Sequence, residues 1–135
     1  MLTGLALFAL ALAGAGFFFQ HALSVRDRPL PEEGGQSALL EEHCGARIER
    51  GRNFTSPFVR LTIYDEFLVV SCLDYRRSVR YGDIARLDEV KTLLGSGLAL
   101  SVHDPEVPKL TLWVRNVTRL KREILRAAKS QELVV

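Results

Sequence analysis

The first part of the chain is a long run without charged residues. Residues 2–19 are almost entirely apolar, and the first charged side chain is Arg26. A helix rises about 1.5 Å per residue, so residues 1–25 are long enough to cross the roughly 30 Å of hydrocarbon in a bilayer. Arg26 and Arg28 then form a basic flank, and such flanks stay in the cytoplasm. The pattern predicts a single-pass helix in the plasma membrane, the inner membrane of a bacterium, with the C-terminal domain cytoplasmic.

A secretory signal peptide is the alternative interpretation of the same run. Signal peptides have a positively charged start and a short apolar core that ends in small residues. Here no Lys or Arg precedes the apolar run, and Phe17, Phe18 and Phe19 follow the small residues between Ala11 and Ala15. These features favour a retained transmembrane helix. Cleavage would instead release a small secreted or periplasmic β-domain.

Residues 26–44 have the composition of a linker. The stretch "RDRPLPEEGGQ" combines prolines, glycines and charges without an apolar period, and residues 37–43 predict at most a short helix capped by Ser37. The linker has two basic and five acidic residues, a net charge of −3, whereas residues 45–135 have sixteen basic and eleven acidic residues, a net charge of +5. Because each Lys or Arg near an anionic leaflet contributes about 1 kcal/mol, we expect weak contact between the domain and anionic lipid.

From Gly45 onward, apolar and polar residues alternate as in strands with one buried face. In "FVRLTIY" the apolar positions are Val59, Leu61 and Ile63, and the residues between them are expected to face water. The stretch "FLVVSCL" is apolar on both faces and is expected deep in the sheet. "LALSVH" and "KLTLWV" continue the alternation, with a turn at "GSG", residues 95–97. Six or so short strands predict a curled antiparallel sheet or small barrel.

The apolar residues change to a helical period at the end of the chain. Asn116 is a good N-cap, and the apolar residues after it recur at three- and four-residue steps, which predicts Leu120 and Ile124 in the core. Because large aromatics are missing, the other side of this helix is expected to be solvated rather than inserted in a membrane. That side forms a candidate basic surface of Arg119, Arg122, Arg126 and Lys129.

A run of antiparallel strands closed by one C-terminal amphipathic helix resembles the pleckstrin-homology-like fold, in particular its bacterial and GRAM-type members. "PFVRLTIYDEFLVVS" is similar to the second and third strands of that family. "SVRYGDIARL" is similar to its strand ending in an aromatic, an acidic residue and isoleucine, and "LTLWVRNVTRLKREI" to its last strand and closing helix. The resemblance implies an α+β, mainly β, fold: an antiparallel roll or barrel of about six to seven strands over residues 45–135, closed by the C-terminal helix and preceded by the transmembrane helix.

The same resemblance implies binding to lipid headgroups or peptides rather than catalysis. Members that bind phosphoinositides carry a basic cluster on and between their first two strands. The matching region "ARIERGRNFTSPFVR" offers Arg47, Arg50, Arg52 and Arg60 as candidate anion- or lipid-binding residues. Glu49 interrupts this cluster, so weak contact with anionic lipid is expected rather than a tight inositol phosphate site.

Three further arginines occur in "RRSVRYGDIARL". In a strand, Arg76 and Arg80 lie on one face and Arg77 on the other, so the three do not form a single patch. We expect solvation and local ion pairing there, not a specific anion site.

Catalytic chemistry is not indicated by the sequence. His21, His43 and His103 are scattered, and no motif pairs a nucleophile with a base, spaces metal ligands or cradles a phosphate. We therefore predict no catalytic residues, no metal and no cofactor, and the small charge surplus favours no nucleic-acid partner. In a cytoplasmic domain Cys44 and Cys72 are expected to be reduced, although the sequence does not decide whether they pair.

The sequence as a whole predicts a membrane-anchored, non-catalytic binding module. It would act as an adaptor or accessory subunit, with the lipid bilayer and a membrane protein or complex as partners. An enzyme of an unrecognised kind is the alternative.

Overall fold

The chain forms an apolar helix, a seven-stranded sheet and a C-terminal helix. The structure is a computed structural model that describes residues 2–48, 52–93, 95–103 and 108–132, with side chains described as far as residue 130. Helix α1 is followed by a 3₁₀ turn at Pro31–Glu33, which precedes the first strand. The elements are α1 (Leu2–Asp27), β1 (Leu40–Ile48), β2 (Arg52–Ile63), β3 (Phe67–Ser71), β4 (Arg76–Arg80), β5 (Ile84–Thr92), β6 (Gly95–Val102), β7 (Lys109–Trp113) and α2 (Val117–Glu132).

The sheet is antiparallel throughout, in the order β4-β3-β2-β1-β7-β6-β5. Strand β1 is central: it pairs with β2 from Leu40 opposite Ile63, and with β7 from Gly45 opposite Trp113. The register with β2 shifts around Gly45, where a Cβ would lie only 2.8 Å from the backbone oxygen of Phe54. A glycine at this shift lets β1 bend from one half of the sheet into the other, so the sheet curls.

The main core lies inside the curl, between the sheet and helix α2. The inward apolar side chains of β2, including Leu61, are fully buried, as the alternation predicted. Leu120 and Ile124 on α2 are each 1% exposed, which confirms that they belong to the core. Helix α2 begins with the predicted cap, because the backbone N–H of Arg119 donates to Asn116 Oδ1 at 3.0 Å. The α+β architecture predicted from the sequence is confirmed.

Two local predictions are wrong. Residues 37–43 do not form a short helix, because from Leu40 the chain is strand β1, whose pairing with both halves of the sheet outweighs the weak local helix signal. The sheet therefore begins inside the segment predicted as a linker. The turn predicted at residues 95–97 also lies earlier: β6 starts at Gly95, which pairs with Thr92 across the β5–β6 connection and has φ of +143°.

Helix α1 meets the sheet only near its C-terminal end. It is long and apolar enough to cross a membrane. Ala22, Val25 and Arg26, in its last turns, are buried, whereas most of the preceding helix is exposed. The end of α1 contacts β2 and β3, and this contact sets the position of the sheet relative to the helix.

Candidate functional site

The outer face of β2, β3 and β4, the face turned away from the main core, is where the structure differs most from the predicted pattern. Arg60, Thr62 and Tyr64 were expected to face water, but they are 4%, 1% and 7% exposed. Residues 26–33 comprise the last two residues of α1 and the turn that follows it; we call them the post-helix segment, and they run across this face and cover it. A second buried apolar cluster forms beneath the segment, made by Leu30, Tyr64, Phe67 and Val69.

The guanidinium of Arg60 is at the centre of this contact. Its Nη1 donates to Glu33 Oε1 at 2.5 Å and to Thr62 Oγ1 at 3.0 Å, and its Nη2 donates to Glu33 Oε2 at 3.0 Å. Its Nε donates to the backbone oxygen of Arg26 at 2.8 Å, and Nη2 also reaches that of Arg28 at 3.2 Å. These bonds engage the whole planar fork of the side chain. Arg60 therefore connects the sheet to the post-helix segment.

Glu33 is the partner that makes the buried charge of Arg60 tolerable. The side chains of Arg60 and Glu33 are 5% and 4% exposed. The carboxylate also accepts hydrogen bonds from Tyr64 Oη at 2.8 Å and from the backbone N–H of Leu30 at 2.5 Å. Burial by itself would raise the pKa of Glu33, but the hydrogen bonds from Arg60, Leu30 and Tyr64 outweigh it and hold this pKa below its usual value. Glu33 is therefore ionised at neutral pH.

The four arginines suggested by the family resemblance do not come together. Arg60 is buried under the post-helix segment, whereas Arg47 and Arg52 are exposed at the end of β1 and the start of β2. Arg52 Nη1 donates to Asp74 Oδ2 at 3.1 Å, which links the start of β2 to the β3–β4 connection. Arg50 lies outside the described residues. We call this end of the two central strands, defined by Arg47 and Arg52, the hairpin end.

Lys109 adds a further basic side chain at the hairpin end. It begins β7 and is exposed. The residue after it, Leu110, pairs with Ile48 at the end of β1. The basic residues Arg47, Arg52 and Lys109 thus lie at the same end of three neighbouring strands in the middle of the sheet.

The predicted flank Arg26 and Arg28 contacts the sheet. Arg26 is 7% exposed; its Nε and Nη2 donate to the carboxylate of Asp27 at 2.7 and 2.9 Å, and its Nη1 donates to the backbone oxygen of Pro57 at 2.7 Å. The side chain of Arg28 is exposed, while its backbone oxygen accepts hydrogen bonds from the sheet. The flank is therefore part of a folded contact, not a free basic tail.

Strand β4 contributes to the same contact. Arg76 Nη2 donates to the backbone oxygen of Arg28 at 2.5 Å, and its Nε donates to Ser71 Oγ at 3.3 Å. Arg80 shares the face of Arg76 and is exposed, and Arg77 is on the opposite face. As predicted, these arginines do not form one patch, and Arg76 holds a segment of its own chain.

The predicted basic surface on α2 is exposed. Arg119, Arg122, Arg126 and Lys129 all face solvent, and Arg126 Nη1 lies 3.6 Å from Glu123 Oε1. Beside the helix a shallow cleft of about 270 Å³ lies against β5. It is lined by Tyr81, Ile84, Leu87, Lys121, Ile124 and Leu125, among others.

Within the described ranges, no group of three or more His, Cys, Asp or Glu side chains is arranged to hold a metal ion. Cys44 and Cys72 are both free and buried. Burial raises the pKa of the Cys44 thiol to about 12 and that of Cys72 to about 11, so neither is a ready nucleophile at neutral pH.

Glu33 is the residue that the sequence interpretation missed. It lies in the predicted linker, 27 positions from Arg60, and nothing in the local pattern distinguishes it from Glu32. The one available signal was Arg60 itself, a charged residue in the middle of a strand whose neighbour β3 is apolar on both faces.

Comparison with known proteins identifies the fold. No family model matches the chain, and no curated protein matches its sequence. Among solved structures the chain is similar to the Vps36 N-terminal PH domain, with a TM-score of 0.51 and 13% sequence identity over 84% of this chain and 90% of that one. The chain therefore has a pleckstrin-homology-like fold behind an N-terminal apolar helix.

Proposed function

We propose that the protein is a membrane-anchored, non-catalytic binding module that acts as an adaptor or accessory subunit. One observation carries the proposal: the end of the apolar helix and the post-helix segment pack directly on the pleckstrin-homology-like domain. A domain attached in this way stays next to the membrane that holds its helix. The same fold supports different functions, so the binding role rests on this chain's own surface, which offers exposed basic residues such as Arg47 and Arg52.

Anionic lipid is the first partner in this proposal. Arg47 and Arg52, together with Arg50, would meet phosphate groups at the bilayer surface. At about 1 kcal/mol per basic residue near an anionic leaflet, a few arginines give weak attraction, not capture of one headgroup. Arg60 is excluded from this role because Glu33 and backbone oxygens already occupy its donors.

A membrane protein or complex is the second partner in this proposal. The candidate basic surface of α2 is on a different element from the hairpin end, so it can contact a protein while the domain lies at the membrane. With Arg26 and Arg28 beside the helix, the orientation that fits best has the domain in the cytoplasm of a bacterial cell.

The test of lipid contact needs the full chain, because residues 1–44 contribute Glu33 and half of β1. The protein is placed in nanodiscs of phosphatidylcholine with or without phosphatidylglycerol, and amide hydrogen exchange is measured. We expect slower exchange at the hairpin end on the anionic discs. The protection should fade as salt rises, because the Debye length falls from about 10 Å at 0.1 M to about 3 Å at 1 M.

Matched arginine pairs localise the effect. Arg47→Gln with Arg52→Gln should remove most of the protection, whereas Arg119→Gln with Arg122→Gln should leave it unchanged. Equal exchange on both kinds of disc would contradict the lipid contact.

Purification tests the adaptor role. Full-length protein extracted from membranes in mild detergent should retain a membrane protein in stoichiometric amount. Recovery of folded protein alone would contradict this part of the proposal.

A further inference from the structure

The post-helix segment holds the domain in one orientation, and that orientation places a particular surface at the bilayer. We infer that the part of β2 at Pro57 and Phe58, which lies against α1, rests in the membrane interface, held there by the pair of Glu33 and Arg60. The inference rests on the proposed membrane anchoring of α1. The partner it names is the lipid interface itself, whatever the charge of its headgroups.

The connection between α1 and the sheet is held by contacts along its length. Ser71 Oγ donates to the backbone oxygen of Val25 at 3.5 Å, at the end of α1. Arg60 then binds the segment through Arg28 and Glu33, and the side chain of Leu30 packs into the second apolar cluster. Because contacts follow each other within every few residues, the segment has no free length in which the domain could rotate as on a flexible linker.

The contacts along β2 give the domain a direction relative to α1. Phe58 packs edge to face against Phe19 of α1, with ring centroids 5.2 Å apart, while Arg60 Nε donates to the backbone oxygen of Arg26 near the end of α1. Tyr64, which directly follows β2, contacts Glu33. From Tyr64 back to Phe58, the contacted residues therefore change from Glu33, after α1, to Phe19, within α1. The start of β2 points to the membrane.

The length of the apolar run indicates the depth of Phe58 in the bilayer. Residues 2–19 extend about 27 Å as a helix, close to the roughly 30 Å of bilayer hydrocarbon. Gln20 and His21 follow, and such polar residues belong in the headgroup region. Phe19 thus marks the boundary of the hydrocarbon, and Phe58, in contact with it, lies at the same level. A Phe side chain at that level can bury apolar surface at the boundary between headgroups and acyl chains.

The exposed side chains nearby fit an interface. Pro57 is exposed and Phe58 is half-buried, so both present apolar surface beside the helix. Arg52, at the start of the strand, is exposed, and its long side chain can keep the charge among headgroups while its stem lies on apolar surface. At the other end of β2, the β2–β3 turn carries Asp65 and Glu66, which belong in water.

Site-directed spin labelling in liposomes of phosphatidylcholine and phosphatidylglycerol tests the inference on the full chain. One cysteine is added at a time, at exposed Thr55 beside the proposed contact, at exposed Glu66, or at exposed Leu10 within α1. Native Cys44 and Cys72 are buried, so they should label slowly. The measurement is the accessibility of each label to oxygen relative to a water-soluble nickel complex, which reports depth.

The label at Thr55→Cys should show a ratio several-fold higher than the label at Glu66→Cys, and the label at Leu10→Cys the highest. Equal ratios at residues 55 and 66, with a hydrocarbon value at residue 10, would overturn the orientation and leave the anchor intact. An aqueous value at residue 10 would refute the membrane anchor, and the orientation with it.

A matched pair of variants tests whether the Glu33–Arg60 pair sets this orientation. Glu33→Gln should move the residue 55 label towards the aqueous ratio and raise its mobility, whereas Glu32→Gln, at an exposed neighbour, should change neither. Fluorescence of Trp113 on β7 checks that each variant is folded. A folded Glu33→Gln protein with an unchanged label at residue 55 would overturn the role of the pair.

Discussion

Removal of either partner of the Glu33–Arg60 pair should destabilise the protein far more than removal of both. Arg60→Met removes every donor of the guanidinium and leaves the Glu33 carboxylate buried, with only Tyr64 and Leu30 as partners. An uncompensated charge at a site 4% exposed is costly, and breaking a buried pair in this way typically costs about 3–5 kcal/mol. Glu33→Met leaves the opposite charge and should cost a similar amount.

The double variant removes both charges and puts apolar side chains in their place. Replacement of a buried ion pair by apolar residues of similar volume is often close to neutral. The double variant should therefore be more stable than either single variant. Its loss is then smaller than one single loss, so the coupling energy in the cycle should be at least about 3 kcal/mol, at the upper end of what residues in direct contact show.

Unfolding by denaturant in detergent micelles, followed by Trp113 fluorescence and circular dichroism, measures the four free energies. Glu32→Met is the matched control and should change the free energy of unfolding by less than about 0.5 kcal/mol. The claim that this pair joins the post-helix segment to the sheet would be refuted by either of two results. One is that the losses in unfolding free energy of the two single variants add up to that of the double variant, and the other is that each single loss is below about 1 kcal/mol.

Three further predictions concern the core, the pH dependence and the thiols. Ile124→Ala should lower the free energy of unfolding by about 2–4 kcal/mol, whereas Leu125→Ala, at a side chain 51% exposed, should lower it much less. Equal losses for the two variants would mean that α2 does not cover the core. The pKa of Glu33 is lower in the folded protein than in the unfolded chain, so its contribution to stability is complete above about pH 4.5 and is lost as pH falls through the lowered value. The wild type should therefore lose more stability than Glu33→Gln in that pH window. Parallel curves of stability against pH for the two proteins would contradict this. At pH 7 the native protein should react with a maleimide much more slowly at Cys44 and Cys72 than the unfolded chain does, because burial raises the pKa values of these thiols to about 12 and 11. Equal rates for the native and unfolded chains would contradict their burial.

The elements with a strong local period were predictable from the sequence. The helical spacing that includes Leu120 and Ile124, and the alternation around Leu61, identified helix α2 and the inner face of β2 with the correct side chains inward. In these elements one face is buried by the main core, so the pattern of apolar residues directly reports the packing.

The outer face of β2 could not be predicted in the same way. A polar residue on an alternating strand is expected in water, and Arg60 is buried only because a segment 27 positions away brings Glu33 to it. The strand at Leu40 was missed for a related reason, since its pairing partners in β2 and β7 are far along the chain. Local propensity contains no information on such contacts.

The most direct test of the account asks whether the apolar helix is retained with the domain in the cytoplasm. The full-length protein is isolated from the membrane fraction of bacterial cells, and its N-terminus is determined by mass spectrometry. A cysteine introduced at exposed Lys129 is challenged in intact spheroplasts with a membrane-impermeant thiol reagent. The account predicts an N-terminus that precedes the apolar run and a cysteine that reacts only after the cells are lysed. A mature N-terminus near Gly14 or Gly16, or rapid labelling of intact spheroplasts, would contradict it.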